Sequence, residues 1–203
     1  KSKNRFSNPD ETAKLLQKAA RDSYRLDKVL YEPLNVSIAS SFNLIKAFER
    51  EVKTIDKAIE KNIKGINTTE YQSLKSIPGI GPVLASGILA EIGSISVFGS
   101  HNALAKYAGL TWRVNQSGDY TSDNTSMTKT GNKYLRYYLI EAANSVKNNS
   151  AEYKQYYNKK FDEVTTHQHK RALALTSRKL VRLIFSLLTK NQIYSNDKVG
   201  ETQ

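Results

Sequence analysis

Cysteine is absent from this chain of 203 residues. That excludes disulfides, zinc–thiolate sites, iron–sulfur clusters and thiol nucleophiles. Long apolar runs are absent too. No stretch approaches the ~20 residues a membrane helix needs, so no membrane partner is expected. The opening residues do not read as a signal peptide. The chain starts Lys1-Ser2-Lys3 without Met, and is expected to be a fragment of something longer. Acidic residues are scarce: 19 Asp and Glu face 31 Lys and Arg, for a net charge of +12. A metal-dependent nuclease needs several carboxylates converging on divalent cations. Glu91, Asp119 and Asp123 are too scattered for that, and His167 and His169 read as surface residues on a basic helix. No metal site and no cofactor are therefore expected within this chain.

The positive charge is concentrated. Residues 128–190 carry thirteen basic against four acidic residues, while residues 64–127 are balanced. A concentrated positive field attracts polyanions and speeds their encounter. A length of 203 residues allows one large domain or two small ones. The expected division is a helical, coiled-coil-like segment over 1–64, a helical domain over 65–190 and a flexible tail over 191–203.

Few prolines are present, and each one punctuates. Asn8-Pro9-Asp10-Glu11 reads as a helix entry, with Asn as cap and Pro in the first turn. That helix is expected to run to about Tyr31, where Pro33 interrupts it. Next comes a heptad pattern: Ile38, Ile45, Val52 and Ile59 recur every seven residues, with Ser41, Phe48 and Ile55 three positions on. A helix over 34–63 should pair with another helix. Its partner is either the first helix of the same chain or a second subunit.

Ile77-Pro78-Gly79-Ile80-Gly81-Pro82 is a compact turn between two short helices. It resembles a helix-hairpin-helix element. Glycine lets backbone turn sharply and approach a phosphate. Free N–H groups at the start of the next helix suit an anion. Gly79 and Gly81 are therefore candidate DNA contacts, of a kind that reads backbone rather than base sequence. Ser100 should cap a short helix ending near Ala108. Residues 110–130, rich in Ser, Thr, Asn, Asp and Gly, read as a long irregular loop of the kind that often carries function. Helices are expected at about 132–148, 151–161 and 169–189. The fold class is mainly α. Tyr134, Tyr137, Tyr138, Tyr153, Tyr156 and Tyr157 interleave with basic residues and could stack on unpaired bases or simply pack.

The ordered set of Ile77-Pro78-Gly79-Ile80-Gly81-Pro82-Val83-Leu84-Ala85, Ala90-Glu91-Ile92-Gly93, Tyr107-Ala108-Gly109-Leu110, Gln116-Ser117-Gly118 and Thr128-Lys129-Thr130-Gly131-Asn132 with Leu135-Arg136 resembles one family. It is similar to the C-terminal domain of bridge-RNA-guided insertion-sequence transposases, which are related to the Piv DNA invertase. The resemblance is close over about 74–145. One departure is Thr111-Trp112, where the family has Pro after Gly-Leu.

The resemblance implies a nucleophilic serine at Ser117, attacking a DNA phosphodiester to leave a covalent phosphoserine link. It implies an N-terminal RuvC-like domain outside this chain that holds a divalent metal, Mg being expected, and a coiled coil between the two domains. DNA and a guide RNA are the implied partners, with self-association through helix 34–63 and a cytoplasmic, nucleoid-associated location in a prokaryote. The fragment alone is expected to be inactive. Lys129, Asn132, Lys133 and Arg136, with Arg178, Lys179 and Arg182 on the last helix, are candidate DNA contacts. A hydroxyl is a weak nucleophile unless a base or metal activates it and positive groups stabilise the charge that develops. The alternative is a binding module with a helix-hairpin-helix and a dimerising coiled coil, but no chemistry.

Overall fold

A computed structural model describes residues 8–23, 27–112, 116–117, 120–121 and 126–195; at 28, 116, 117, 120 and 121 it describes backbone only. The fold is mainly helical. Its elements are α1 (Pro9–Asp22), α2 (Lys28–Ile66), α3 (Thr68–Lys75), α4 (Pro82–Ile92), a 3-10 turn (Ile95–Val97), α5 (His101–Tyr107), β1 (Gln116–Ser117), β2 (Tyr120–Thr121), α6 (Lys133–Asn149), α7 (Ala151–Asp162) and α8 (Gln168–Lys190).

Chain contacts divide the protein into two units, residues 1–52 and 53–203. The expected boundary, between 64 and 65, falls inside the second unit. The first unit holds α1 and most of α2. Asn8 caps α1 by accepting from the Glu11 amide at 3.3 Å. Its amide also donates to the Glu11 carboxylate at 3.1 Å, a reciprocal arrangement that orders the first turn.

The interruption expected at Pro33 is not found. α1 stops at Asp22, and α2 starts at Lys28 and runs through Pro33. Asp27 is the reason. Its carboxylate accepts from the Val29 amide at 3.0 Å, and its carbonyl takes the amides of Leu30 and Tyr31. Pro33 then sits early in the helix, where its missing N–H removes a single bond, to the Val29 carbonyl. α1 buries no residue, and its Leu15 and Leu16 are exposed. The heptad residues Ile38, Ile45, Phe48, Val52 and Ile55 of α2 are exposed as well. A hairpin burying these faces against each other within the chain, one of the two expectations for the heptad, is not formed.

The second unit has a continuous core. Leu74, Ile77, Ile80, Ile88, Leu89, Leu104, Leu135, Leu139, Leu180 and Ile184 are all nearly fully buried in it. α8 is its axis, packing on α3, α5, α6 and α7. The spacing of Leu180, Ile184 and Leu187 puts them on one helical face, and all three are buried. Residues 191–195 were expected to belong to a flexible tail. Instead the Tyr194 amide donates to Ser76 Oγ at 2.8 Å and Tyr194 packs on the core. The rest of that tail lies outside the described residues.

Within the expected long irregular loop, the described residues make short antiparallel pairings, which together form a ribbon. Trp112 bridges Met127 in antiparallel sense, and β1 pairs with β2 through Gln116 with Thr121 and Ser117 with Tyr120. Thr111 and Thr128 join its root, with the Thr128 amide donating to the Thr111 carbonyl at 2.8 Å and the two hydroxyls 3.0 Å apart. The alternation of Thr, Trp and Tyr with short polar residues was the available signal. Such residues suit a pleated surface.

Candidate nucleic-acid interface

The turn between α3 and α4 is built by its sequence. Ile77-Pro78-Gly79-Ile80 closes with the Ile80 amide donating to the Ile77 carbonyl at 3.0 Å. Gly79 has φ +97°. Proline at the second position and a positive-φ glycine at the third define a type II turn.

The two glycines of this turn do different work. A Cβ on Gly79 would lie 2.9 Å from the carbonyl carbon and oxygen of Ser145. Ser145 Oγ donates to the Gly79 carbonyl at 2.7 Å. Gly79 thus lets the turn seat on the backbone of α6. Gly81 is the opposite case. Its φ of −87° and ψ of 177° are ordinary extended backbone, and a Cβ there would meet nothing within 4 Å. It caps α4 without a side chain, and Pro82 follows. The first helical bond runs from the Ala85 amide to the Gly81 carbonyl at 3.0 Å. The amides of Val83 and Leu84 precede that bond, and no acidic residue stands in the first turn. Such an end suits an anion.

The polar and basic residues singled out in the sequence separate the same way. Asn132 is the cap of α6. Its Oδ1 accepts from the amides of Tyr134 and Leu135 at 2.9 and 3.0 Å. Its Nδ2 donates to Glu91 at 2.7 Å and to the Tyr107 hydroxyl at 3.2 Å. Asn132 therefore joins α4, α5 and α6, and its polar atoms are engaged within the fold. Arg136 Nη1 donates to the Ala108 carbonyl at 3.0 Å. Arg178 reaches the Leu110 carbonyl at 3.5 Å and Asn102 Oδ1 at 2.5 Å. Burial, and after it the charge of Arg182, holds the Arg178 guanidinium below its ordinary pKa. Two arginines thus fasten residues 108–110, the segment leading into the ribbon. Lys179 pairs with Glu152 at 2.6 Å and lies over the rings of Tyr153 and Tyr156.

Lys129, Lys133 and Arg182 remain directed to solvent. Lys129 sits at the ribbon root with φ +53°, a left-handed conformation uncommon for a residue with a Cβ. Lys133 lies 4.9 Å from the centroid of the Tyr134 ring. Among the described residues, neither of these lysines nor Arg182 has a carboxylate partner.

Ser117 occupies β1, opposite Tyr120 in the last described pair before residues 118–119. Asn132, Arg136 and Arg178 secure the segments on either side, 108–110 and the start of α6. Glu91, Asn102, Tyr107 and Ser145 were not singled out by the sequence as site-building residues. The Gly131-Asn132 pair ahead of a helical stretch was the one local sign of this junction. Among the described residues, no three of His, Cys, Asp and Glu gather closely enough to hold a metal ion. No helix among them is long and apolar enough to cross a membrane.

Comparison with known proteins adds a family. Residues 71–158 match the model of the transposase IS116/IS110/IS902 family. The chain is 26% identical over 149 residues to the insertion element IS116 uncharacterized 44.8 kDa protein of Streptomyces clavuligerus, covering 73% of this chain and 36% of that protein. It is 29% identical over 150 residues to the transposase for insertion sequence element IS1111A of Coxiella burnetii, covering 72% and 38%. A probable family 20 transposase of Pseudomonas aeruginosa is 28% identical over 102 residues, covering 50% and 29%. The chain spans about a third of the length of these curated relatives. The turn, the ribbon and the capped start of α6 all lie within the matched stretch, which is similar in sequence to the transposases of the IS116/IS110/IS902 family.

Proposed function

We propose that this chain is the DNA-gripping, serine-bearing part of an insertion-sequence transposase. The observation that carries the reading is the placement of Ser117. It lies at the closing pair of a ribbon whose root is fastened by Asn132, Arg136 and Arg178, inside the stretch similar to transposases. A nucleophile must be held close to its productive geometry, and the fastened segment 108–110 supports the stretch that carries it.

In this reading the α3–α4 turn acts as a helix-hairpin-helix, with the open start of α4 taking one backbone phosphate. Lys129 and Lys133 take others near the ribbon. Ser117 Oγ attacks phosphorus and loses its proton. The bond from phosphorus to one sugar oxygen breaks, and that oxygen leaves as a hydroxyl. The phosphate stays on the serine, so the strand end is kept for rejoining. Activation of the hydroxyl comes from a RuvC-like, metal-holding domain elsewhere in the full protein, and a guide RNA selects the target. The exposed heptad face of α2 pairs with α2 of a second copy.

The test uses the full-length protein with its RNA and DNA substrates. Ser117→Ala is expected to abolish both recombination and the covalent protein–DNA adduct seen on denaturing gels, while duplex binding persists. Undiminished recombination would overturn the catalytic role. The second reading, a binding module without chemistry, is favoured by the open start of α4 alone. Under it no adduct forms with nicked DNA, and duplex binding weakens steeply with salt.

A further inference from the structure

Three tyrosines of α6, Tyr134, Tyr137 and Tyr138, meet different fates. Tyr138 is packed: a Cβ on Gly87 of α4 would lie 2.5 Å from its ring. Tyr134 and Tyr137, one helical turn apart, are 57% and 59% exposed. Two open rings side by side make a contiguous surface, the kind of exposure that marks a contact site. Neither ring is left to swing freely. Tyr137 stands edge-to-face against Tyr138, with ring centroids 5.4 Å apart. Tyr134 has the Lys133 ammonium over it.

A cation–π contact orders a lysine without cancelling its charge. The exposed Lys133, with no carboxylate partner among the described residues, therefore offers a held ammonium beside two braced ring surfaces. Lys129, also exposed, is four residues before it across the cap of α6. Of the two acids whose charge reaches Tyr138, Asp56 and Glu91, the Glu91 carboxylate is bonded by Asn132. Glu141 lies four residues beyond Tyr137 on the same face and is exposed, so it bounds the patch at one end.

We propose that Tyr134 and Tyr137 form a stacking platform for unpaired bases of a nucleic-acid strand, its phosphates held by Lys133 and Lys129. Paired bases present only their edges to a protein, whereas unpaired bases expose faces that stack on aromatic rings. The platform lies at the root of the ribbon that carries Ser117, so it takes a strand that is already open beside that ribbon. This rests on the nucleic-acid reading above and adds to it the state of the strand.

The chain itself, residues 1–203, is titrated into fluorescein-labelled dT and U oligonucleotides of equal length, and into a duplex. The variants are Tyr134→Ala/Tyr137→Ala and Tyr134→Phe/Tyr137→Phe; both positions are exposed, so folding should be unaffected and is checked by melting. The alanine pair is expected to lose roughly tenfold or more in single-strand affinity, since stacking accounts for about that much per base. Duplex affinity should stay within about twofold, and the phenylalanine pair should behave as the parent, because the ring and not the hydroxyl does the stacking. A larger loss on U identifies an RNA strand, and on dT a DNA strand. Unchanged single-strand affinity in the alanine pair would overturn the proposal, as would equal losses on duplex and single strand, or a phenylalanine pair as weak as the alanine pair. Retained duplex binding in those cases leaves the broader reading standing, whereas no binding to any nucleic acid by the parent removes both.

Discussion

Gly79 and Gly81 stand two residues apart in one turn, yet substitution should separate them completely. At Gly79, an alanine must adopt φ +97° and place its methyl 2.9 Å from the Ser145 carbonyl group. Left-handed backbone costs an L-residue about 1–2 kcal/mol. Forcing a methyl into packed backbone costs about 1–3 kcal/mol more. The sum is about 2–5 kcal/mol, and in a protein of this size each kcal/mol lowers the melting temperature by roughly 2–4 °C. Gly79→Ala should therefore melt roughly 4–20 °C below the parent. At Gly81 the backbone is ordinary and the space is open. Gly81→Ala should stay within about 1 kcal/mol of the parent. Its methyl would stand where a phosphate approaches the amides of Val83 and Leu84, and duplex affinity should fall roughly tenfold, the worth of a charge-assisted bond. Melting by circular dichroism and anisotropy with a labelled duplex read the two effects. A Gly79→Ala protein melting with the parent would refute the packing argument. A Gly81→Ala protein binding DNA as the parent does would refute the anion site.

Asn132→Asp keeps the cap acceptor but sets a second carboxylate against Glu91, now a 2.7 Å hydrogen bond. It should cost about 1–3 kcal/mol at neutral pH, and thermal melts of the variant beside the parent check this. Burial raises the pKa of the Tyr153 phenol above its ordinary value, so the neutral phenol stabilises the fold below pH ~10 and that contribution is lost as pH rises further. The urea midpoint of the parent should accordingly fall more between pH ~8 and ~11 than that of Tyr153→Phe, and equal falls would discard the assignment. Lys133→Gln should lower the slope of log affinity against log salt by about 1, whereas Arg136→Gln should weaken binding through a loosened ribbon root, with the slope kept but the melting temperature lowered. In unit 1, Ile45→Asp with Val52→Asp should convert a self-associated protein to monomer by sedimentation; a parent that is monomeric at high concentration would rule out pairing through α2.

Much of the second unit was legible because its signals are local. Ser100 Oγ accepts from the Ala103 amide as a cap should, Pro82 opens α4, and Gly93 closes it. The apolar period of α8 pointed to the buried face it has. Pro33 misled because proline ends a helix only when it falls deep inside one, and the start at Asp27 was the weaker signal. The short pairings within residues 110–130 left little trace in the sequence, because the stretch is polar and alternation hardly rises above turn composition. Long-range pairing such as Trp112 with Met127 leaves no periodic trace.

The site was legible by residue type and not by role. Asn132, Arg136 and Lys179 were picked as cations or polar groups fit for phosphate, and each is held by a carbonyl, a carboxylate or a neighbouring amide of the fold. Sequence reports that a guanidinium is present. Only packing tells whether a buried carbonyl reaches it first. A buried carbonyl left without a donor is costly, whereas a phosphate can find another lysine on a surface this basic. The arginines nearest the core are therefore drawn inward to fasten residues 108–110, while Lys129 and Lys133 stay exposed.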